Sequence, residues 1–296
     1  MRTPAAEYLI RQRVTALGRA LPAAKAGDAA SLHQARVATR RLRAALPMVA
    51  SGPKAEKLTR AVRRLTQALG PVRELDVELQ ILGELEKSGD VPRSATQRLR
   101  SSIAEERQRL QLRLRELIEG FDFDKVRKRA VAVARKAEDA KRPRDPERVA
   151  VARERAARRA RRLAAAIENA AGLYLPDRLH QVRIAVKKLR YTLELTDRPV
   201  ASRPSARIRT LKTAQDLLGR MHDLEVLIAR TRNIQSSPGA STLKVSADLD
   251  RLVRRLENEC RQLHGHYMAS RPTLISLCHR LMAAGEPRDR ARTSAA

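Results

Sequence analysis

Tryptophan is absent from these 296 residues, and two Phe and four Tyr are the only other large aromatic side chains. Stacking platforms for unpaired bases are therefore missing, which argues against a single-strand nucleic-acid binder. Cysteine is nearly as scarce. Cys260 and Cys278 are too few and too late in the chain to staple a fold, so no disulfide framework is expected and a reducing compartment fits. No run approaches the roughly eighteen apolar residues of a membrane span. The first ten residues lack the basic start and apolar core of a secretion signal, so a soluble cytoplasmic protein is expected. Alternating β-branched runs bounded by turn residues are also missing, which leaves no strand candidates. Carboxylates are the last shortage: 33 acidic residues face 62 basic ones, for a net charge of +29. Such an imbalance destabilises the compact state unless an anionic partner offsets it.

What remains is a helical, arginine-rich chain. Of the 62 basic residues 50 are Arg, whose planar fork contacts phosphate oxygens bidentately where Lys offers a rounder point charge. Apolar residues make up 43% of the chain, enough for a real core. They recur at helical spacing with Ala, Leu, Arg and Glu between them, so the fold class expected is all-α. Helices are expected over 5–25, 29–50, 54–69, 72–88, 92–119, 123–138, 146–171, 177–196, 204–218, 221–235, 241–269 and 271–284. The segment KRPRDP at 141–146 is the clearest break. It divides the chain into two expected bundle halves, 1–140 and 141–284, with a disordered tail at 285–296.

Twelve residues occur twice. Leu32–Arg43 reads LHQARVATRRLR and Leu179–Arg190 reads LHQVRIAVKKLR, at an offset of 147. A second pair, LGPVRELDV from Leu69 and LGRMHDLEV from Leu218, follows at an offset of 149. The near-constant offset implies duplication, with two antiparallel helical bundles related by a pseudo-twofold. On a helix turning about 100° per residue, His33, Arg36, Arg40 and Arg43 share an arc of roughly 80°, with Arg41 flanking it. Leu32, Leu42, Leu46 and Val49 lie roughly opposite. His180, Arg183, Lys187 and Arg190 repeat the stripe and Lys188 flanks it. An ordinary solvated helix mixes signs at i and i+4, but Arg36–Arg43 holds no carboxylate, so an anionic ligand is the expected partner. Between the motifs, Arg60 and Arg63 match Arg209 and Lys212.

The smaller features read as follows. Asp177 is expected to cap the helix that carries His180, and Asp28 or Ser31 the one that carries His33, placing each imidazole in a first turn where free backbone N–H groups attract phosphate. Gly70 and Gly219 are expected just past the ends of helices. Glu74, Asp76, Asp223 and Glu225 sit among arginines and read as ion-pair partners rather than catalytic acids. Cys260, His264, His266, Cys278 and His279 have a metal-like composition, but Cys-x3-His-x-His matches no standard zinc site, so no metal is expected. No Walker loop, Cys-based phosphatase loop or paired-Asp motif is present, and the chain is expected to be neither an enzyme nor a cofactor binder.

The two motifs together, H-x-x-R-V-x-x-R-R-L-R followed by L-G-x-x-R-E-x-D-V with a second, weaker round, resemble the CHAD domain, the conserved histidine α-helical domain. The resemblance spans about residues 5–284. It implies two pseudosymmetric four-helix bundles and non-catalytic binding of inorganic polyphosphate. It places binding at His33, Arg36, Arg40, Arg41, Arg43, Arg60 and Arg63, and at His180, Arg183, Lys187, Lys188, Arg190, Arg209 and Lys212. Two departures stand out: Glu74 replaces the family's usual Asp, and His222 stands where the first copy has Arg73. The E-x-E-x-K hallmark of the triphosphatase domain that adjoins many relatives has no match. The expected ligand is thus a linear polyphosphate running along convergent basic stripes, with polyphosphate granules as an expected location. The rival is a duplex nucleic acid bound through its backbone, although the repeat offers only Gln34 and Gln181 for reading base edges.

Overall fold

The computed structural model describes residues 6–49, 52–139, 145–196, 204–236 and 243–285. Nine helices and no strand occur among them: α1 (Ala6–Lys25), α2 (Ala29–Val49), α3 (Pro53–Ser88), α4 (Arg93–Glu119), α5 (Phe123–Asp139), α6 (Asp145–Ala170), α7 (Pro176–Thr196), α8 (Ala206–Gln235) and α9 (Leu243–Ala283). The all-α expectation holds. The tail expected from 285 lies, beyond that one residue, outside the described residues.

Three boundaries differ from expectation. Breaks were expected at Gly70-Pro71, at Gly219 and before Pro272, yet α3, α8 and α9 run straight through. A proline inside a helix removes one hydrogen bond to the carbonyl four residues back. At Pro71 both the proline and Gln67 are exposed, so the freed carbonyl is open to solvation instead of being buried unpaired. Gly219 costs only about 1 kcal/mol relative to Ala in a helix interior, which burial of Leu218 and Met221 on either side offsets. Gly70 and Gly219 are therefore mid-helix residues and not C-terminal caps. The true end of α3 is marked by Gly89, at φ 73°.

The chain forms two compact units. The first takes the chain up to Arg142 together with Asp223–Cys260; the second takes Pro143–His222 and the chain from Arg261. The break expected at 141–146 contains one of these crossings. The other two fall inside α8 and α9 and leave no mark in composition.

In the first unit Leu17, Leu32, Leu42, Leu46, Leu58, Leu65 and Leu69 fill a core contributed by α1, α2 and the first half of α3, closed by Leu114 of α4 and by Val126, Ala130 and Val133 of α5. Further along, Arg230 of α8 reaches the carboxylates of Glu78 and Glu106 at 2.5 Å each. Arg107 reaches Asp76 at 2.6 Å. Ser94 also hydrogen-bonds Asp248. In the second unit Leu163 and Ile167 of α6, Val182, Val186 and Leu189 of α7, Leu211 and Leu218 of α8, and Tyr267, Leu274 and Leu277 of α9 form the core.

Candidate polyanion-binding stripes

In the first unit α2 is anchored by its apolar side: Leu32 and Leu42 are fully buried and Leu46 nearly so. That anchoring fixes the rotation of the helix and turns His33 and Arg43 outward, with Arg36, Arg40 and Arg41 partly covered. The side chain of Val49 lies outside the described residues. Asp28 is the cap, since its carboxylate accepts the Ser31 N–H at 2.7 Å.

The unbroken α3 brings a second row beside the first. Arg60, Arg63, Gly70 and Glu74 follow one another at i, i+3, i+10 and i+14, which keeps them on one face. Gly70 lies against Arg36: a Cβ there would stand 2.8 Å from Nη1 of the guanidinium. The same guanidinium lies 3.7 Å from Glu74. Arg41, Arg43, Arg60 and Arg63 form no ion pair among the described residues. Partial burial, followed by the charges of Arg73, Arg36 and Arg40, holds the His33 imidazolium below its usual range. Arg73 thus belongs to the site, although the repeat alone did not select it. Its signal is helical register, which became readable only once α3 was seen to continue past Pro71.

In the second unit His180 meets His222, with ring centroids 4.8 Å apart. Burial, then Arg183, His180 and Lys187, depress the His222 imidazole to about 4. Burial, Arg183 and Lys187 also lower His180, with Asp177 opposing them. His222 is a site member that the sequence marked only as a departure from the family pattern.

The second stripe differs from the first by carrying its own carboxylates. Arg190 donates to Glu194 at 2.6 Å and to Gln215 at 3.0 Å, and its guanidinium lies 4.9 Å from the Tyr191 ring centroid. Lys212 pairs with Asp216 at 2.8 Å. Arg209 donates to the Pro204 carbonyl at 2.8 Å. Lys188 is exposed. In the first unit the aligned positions are Pro47 for Glu194 and Gln67 for Asp216, so those two carboxylates have no counterpart there and Glu74, beside Arg36, is the acid that approaches the stripe.

Two placements near the helix starts are corrected. α7 begins at Pro176, which puts Asp177 inside the first turn instead of at the cap. His33 and His180 are each the fifth residue of their helix, past its unpaired N–H groups, since the Leu32 and Leu179 N–H groups before them already donate to the Asp28 and Leu175 carbonyls. The arginines, and not the helix ends, therefore supply the positive field. The acids behave as expected in the first motif, where Glu74 and Asp76 face Arg36 and Arg107. His264, one turn after Cys260, packs edge-on against Tyr174 at 5.4 Å.

The family model described as CHAD domain matches residues 8–232. The chain belongs to the CHAD family. Its fold is similar to the crystal structure of the CHAD domain from the plant Ricinus communis, at 20% identity and a TM-score of 0.65 over 94% of this chain and 91% of that one. It is also similar to PptA from Streptomyces chartreusis, at 16% identity and a TM-score of 0.60 over 90% and 97% of the two chains. No curated protein matches this CHAD chain in sequence. No described helix is long and apolar enough to cross a membrane.

Proposed function

We propose that this CHAD protein binds inorganic polyphosphate without hydrolysing it, along His33, Arg36, Arg40, Arg41, Arg43, Arg60, Arg63 and Arg73 in one unit, and along His180, Arg183, Lys187, Lys188 and His222 in the other. One observation carries the reading: two helices of the first unit that pack together both carry basic rows, and Arg41, Arg43, Arg60 and Arg63 form no ion pair among the described residues. Like charges brought together cost free energy that a bound polyanion returns, and each phosphate contact releases a condensed counterion. Arginine adds bidentate geometry to the charge. The first unit is the stronger site, because Glu194 and Asp216 already answer Arg190 and Lys212 in the second.

The test is the triple substitution Arg36→Glu, Arg40→Glu and Arg43→Glu, with polyphosphate affinity read by calorimetry and folding by circular dichroism. The helical signal should persist while affinity falls at least about a hundredfold, since three favourable contacts become repulsive. Retained affinity would reduce the stripe to a solvated face. Release of orthophosphate from polyphosphate by the purified protein would contradict the non-catalytic part of the proposal. In cells, fluorescent fusions are expected at polyphosphate granules.

A further inference from the structure

The repeats do not account for the most basic helix. Between Arg155 and Arg162 of α6 lie five arginines, Arg155, Arg158, Arg159, Arg161 and Arg162, and no carboxylate. They spread over about 160° of the helix. The remaining side is filled by Ala156, Ala160, Leu163 and Ile167, all buried in the core of the second unit. Arg158, Arg161 and Arg162 are exposed. Glu154 pairs with Arg158 at 2.9 Å, and the other four form no ion pair among the described residues. Burial and then the charges of Arg162, Arg155 and Arg158 hold the Arg159 guanidinium below its ordinary value. The face is thus a concentrated positive field with a single carboxylate, Glu154, paired at its edge.

Its shape selects the partner. A linear polymer lying along one line of the helix would meet one row of guanidinium groups and leave the others unanswered. An arc this broad, on a helix roughly 10 Å across, is matched by a groove with phosphates on both walls, and the major groove of duplex DNA is about 12 Å wide. No aromatic residue stands in this stretch, so stacking on unpaired bases is not available. No large apolar side chain interrupts the arginines, so the face lacks the anchor that a membrane surface needs. We propose that the outer face of α6 binds the phosphate backbone of duplex nucleic acid, independently of sequence, through Arg155, Arg158, Arg159, Arg161 and Arg162. None of these five arginines belongs to the repeated stripes.

The test compares the wild type, a variant with all five arginines changed to Gln, and the Arg36/Arg40/Arg43→Glu triple variant, each against a short labelled duplex DNA and against polyphosphate. Gln keeps helix propensity and relieves repulsion, so the fold should hold, as circular dichroism would verify. For the wild type, the logarithm of duplex affinity should fall with the logarithm of salt at a slope of about −4, close to 0.9 per neutralised phosphate. The α6 variant should lose at least about tenfold in duplex affinity at moderate salt and flatten that slope, while its polyphosphate affinity stays within twofold. The triple variant should show the reverse pattern. Absence of duplex binding by the wild type, unchanged duplex binding by the α6 variant, or a parallel loss of polyphosphate affinity in it would each overturn the proposal. Failure of the triple variant to lose polyphosphate would overturn the stripe reading alone.

Discussion

Replacing His222 with Gln should make the protein less sensitive to acid. In the folded second unit the His222 imidazole is held at about 4 against an ordinary value of 6.5, by burial and by Arg183, His180 and Lys187. The unfolded chain therefore binds a proton there at pH values where the folded chain refuses it. Stability linked to this ring is fully present above pH 6.5 and is lost as the pH falls toward 4. The whole shift corresponds to about 3 kcal/mol, of which roughly 2 kcal/mol would be expressed between pH 7.5 and pH 5. Water and salt reach the half-buried ring and screen part of the field, so about 1 to 2 kcal/mol is the expected difference. The assay is urea unfolding followed by circular dichroism, since the chain has no Trp to report by fluorescence. His222→Gln should match the wild type near pH 7.5 to within its own substitution cost, then lose less stability by pH 5. Parallel curves for the two proteins would refute the argument that neighbouring cations and burial suppress this titration.

Three further outcomes follow from the same geometry. Polyphosphate should bind more tightly at pH 6 than at pH 8, because His33 and His180 are held below their ordinary range in the empty protein and a bound polyanion favours their charged forms; calorimetry in buffers of different ionisation enthalpy would register the proton uptake, and flat affinity would remove both histidines from the site. Gly70→Ala should leave stability unchanged or raise it by up to about 1 kcal/mol through helix propensity, while displacing the Arg36 guanidinium and weakening polyphosphate binding severalfold, as paired unfolding and binding titrations would reveal. Arg230→Met should cost about 3 kcal/mol at pH 7 by leaving the buried Glu78 carboxylate unpaired, and less at pH 5, since burial already raises that carboxyl and the lost partner raises it further; an equal cost at both pH values would show that the pair matters for packing alone.

Residue patterns announced the helices far better than the joints between them. Leu32, Leu42 and Leu46 recur at a helical period, and the helix they imply begins at Ala29, as expected. Pro71 and Gly219 looked like punctuation because local chemistry disfavours them in a helix. Whether a proline ends a helix depends on who satisfies the freed carbonyl, and only the exposure of Gln67 reveals that. The same limit applied to the site. Repetition exposed the α2 and α7 stripes, but Arg73 joined them through the continuity of α3, and His222 through its approach to His180. Conversely Arg190 and Lys212 match the repeat yet are answered by Glu194 and Asp216, partners that lie outside the twelve repeated residues. The duplicated spelling carried charge, and the neighbours decide how much of it remains available to a ligand.

The crossing of α8 and α9 between units bears on how the chain comes off the ribosome. Glu78 emerges early, but its partner Arg230 follows some 150 residues later. At synthesis rates of about 5 to 20 residues per second, the first unit waits on the order of ten seconds for Asp223–Cys260 while the intervening segment of the second is already out. Neither unit can close in order of synthesis. A fragment ended at residue 140 would lack Arg230 and leave the Glu78 carboxylate without the guanidinium that answers it. Refolding should accordingly show a slow phase set by long-range closure, and cutting the chain near the break at 141–146 should leave a first fragment that keeps its α1–α5 core but is less stable than the same unit in the whole chain.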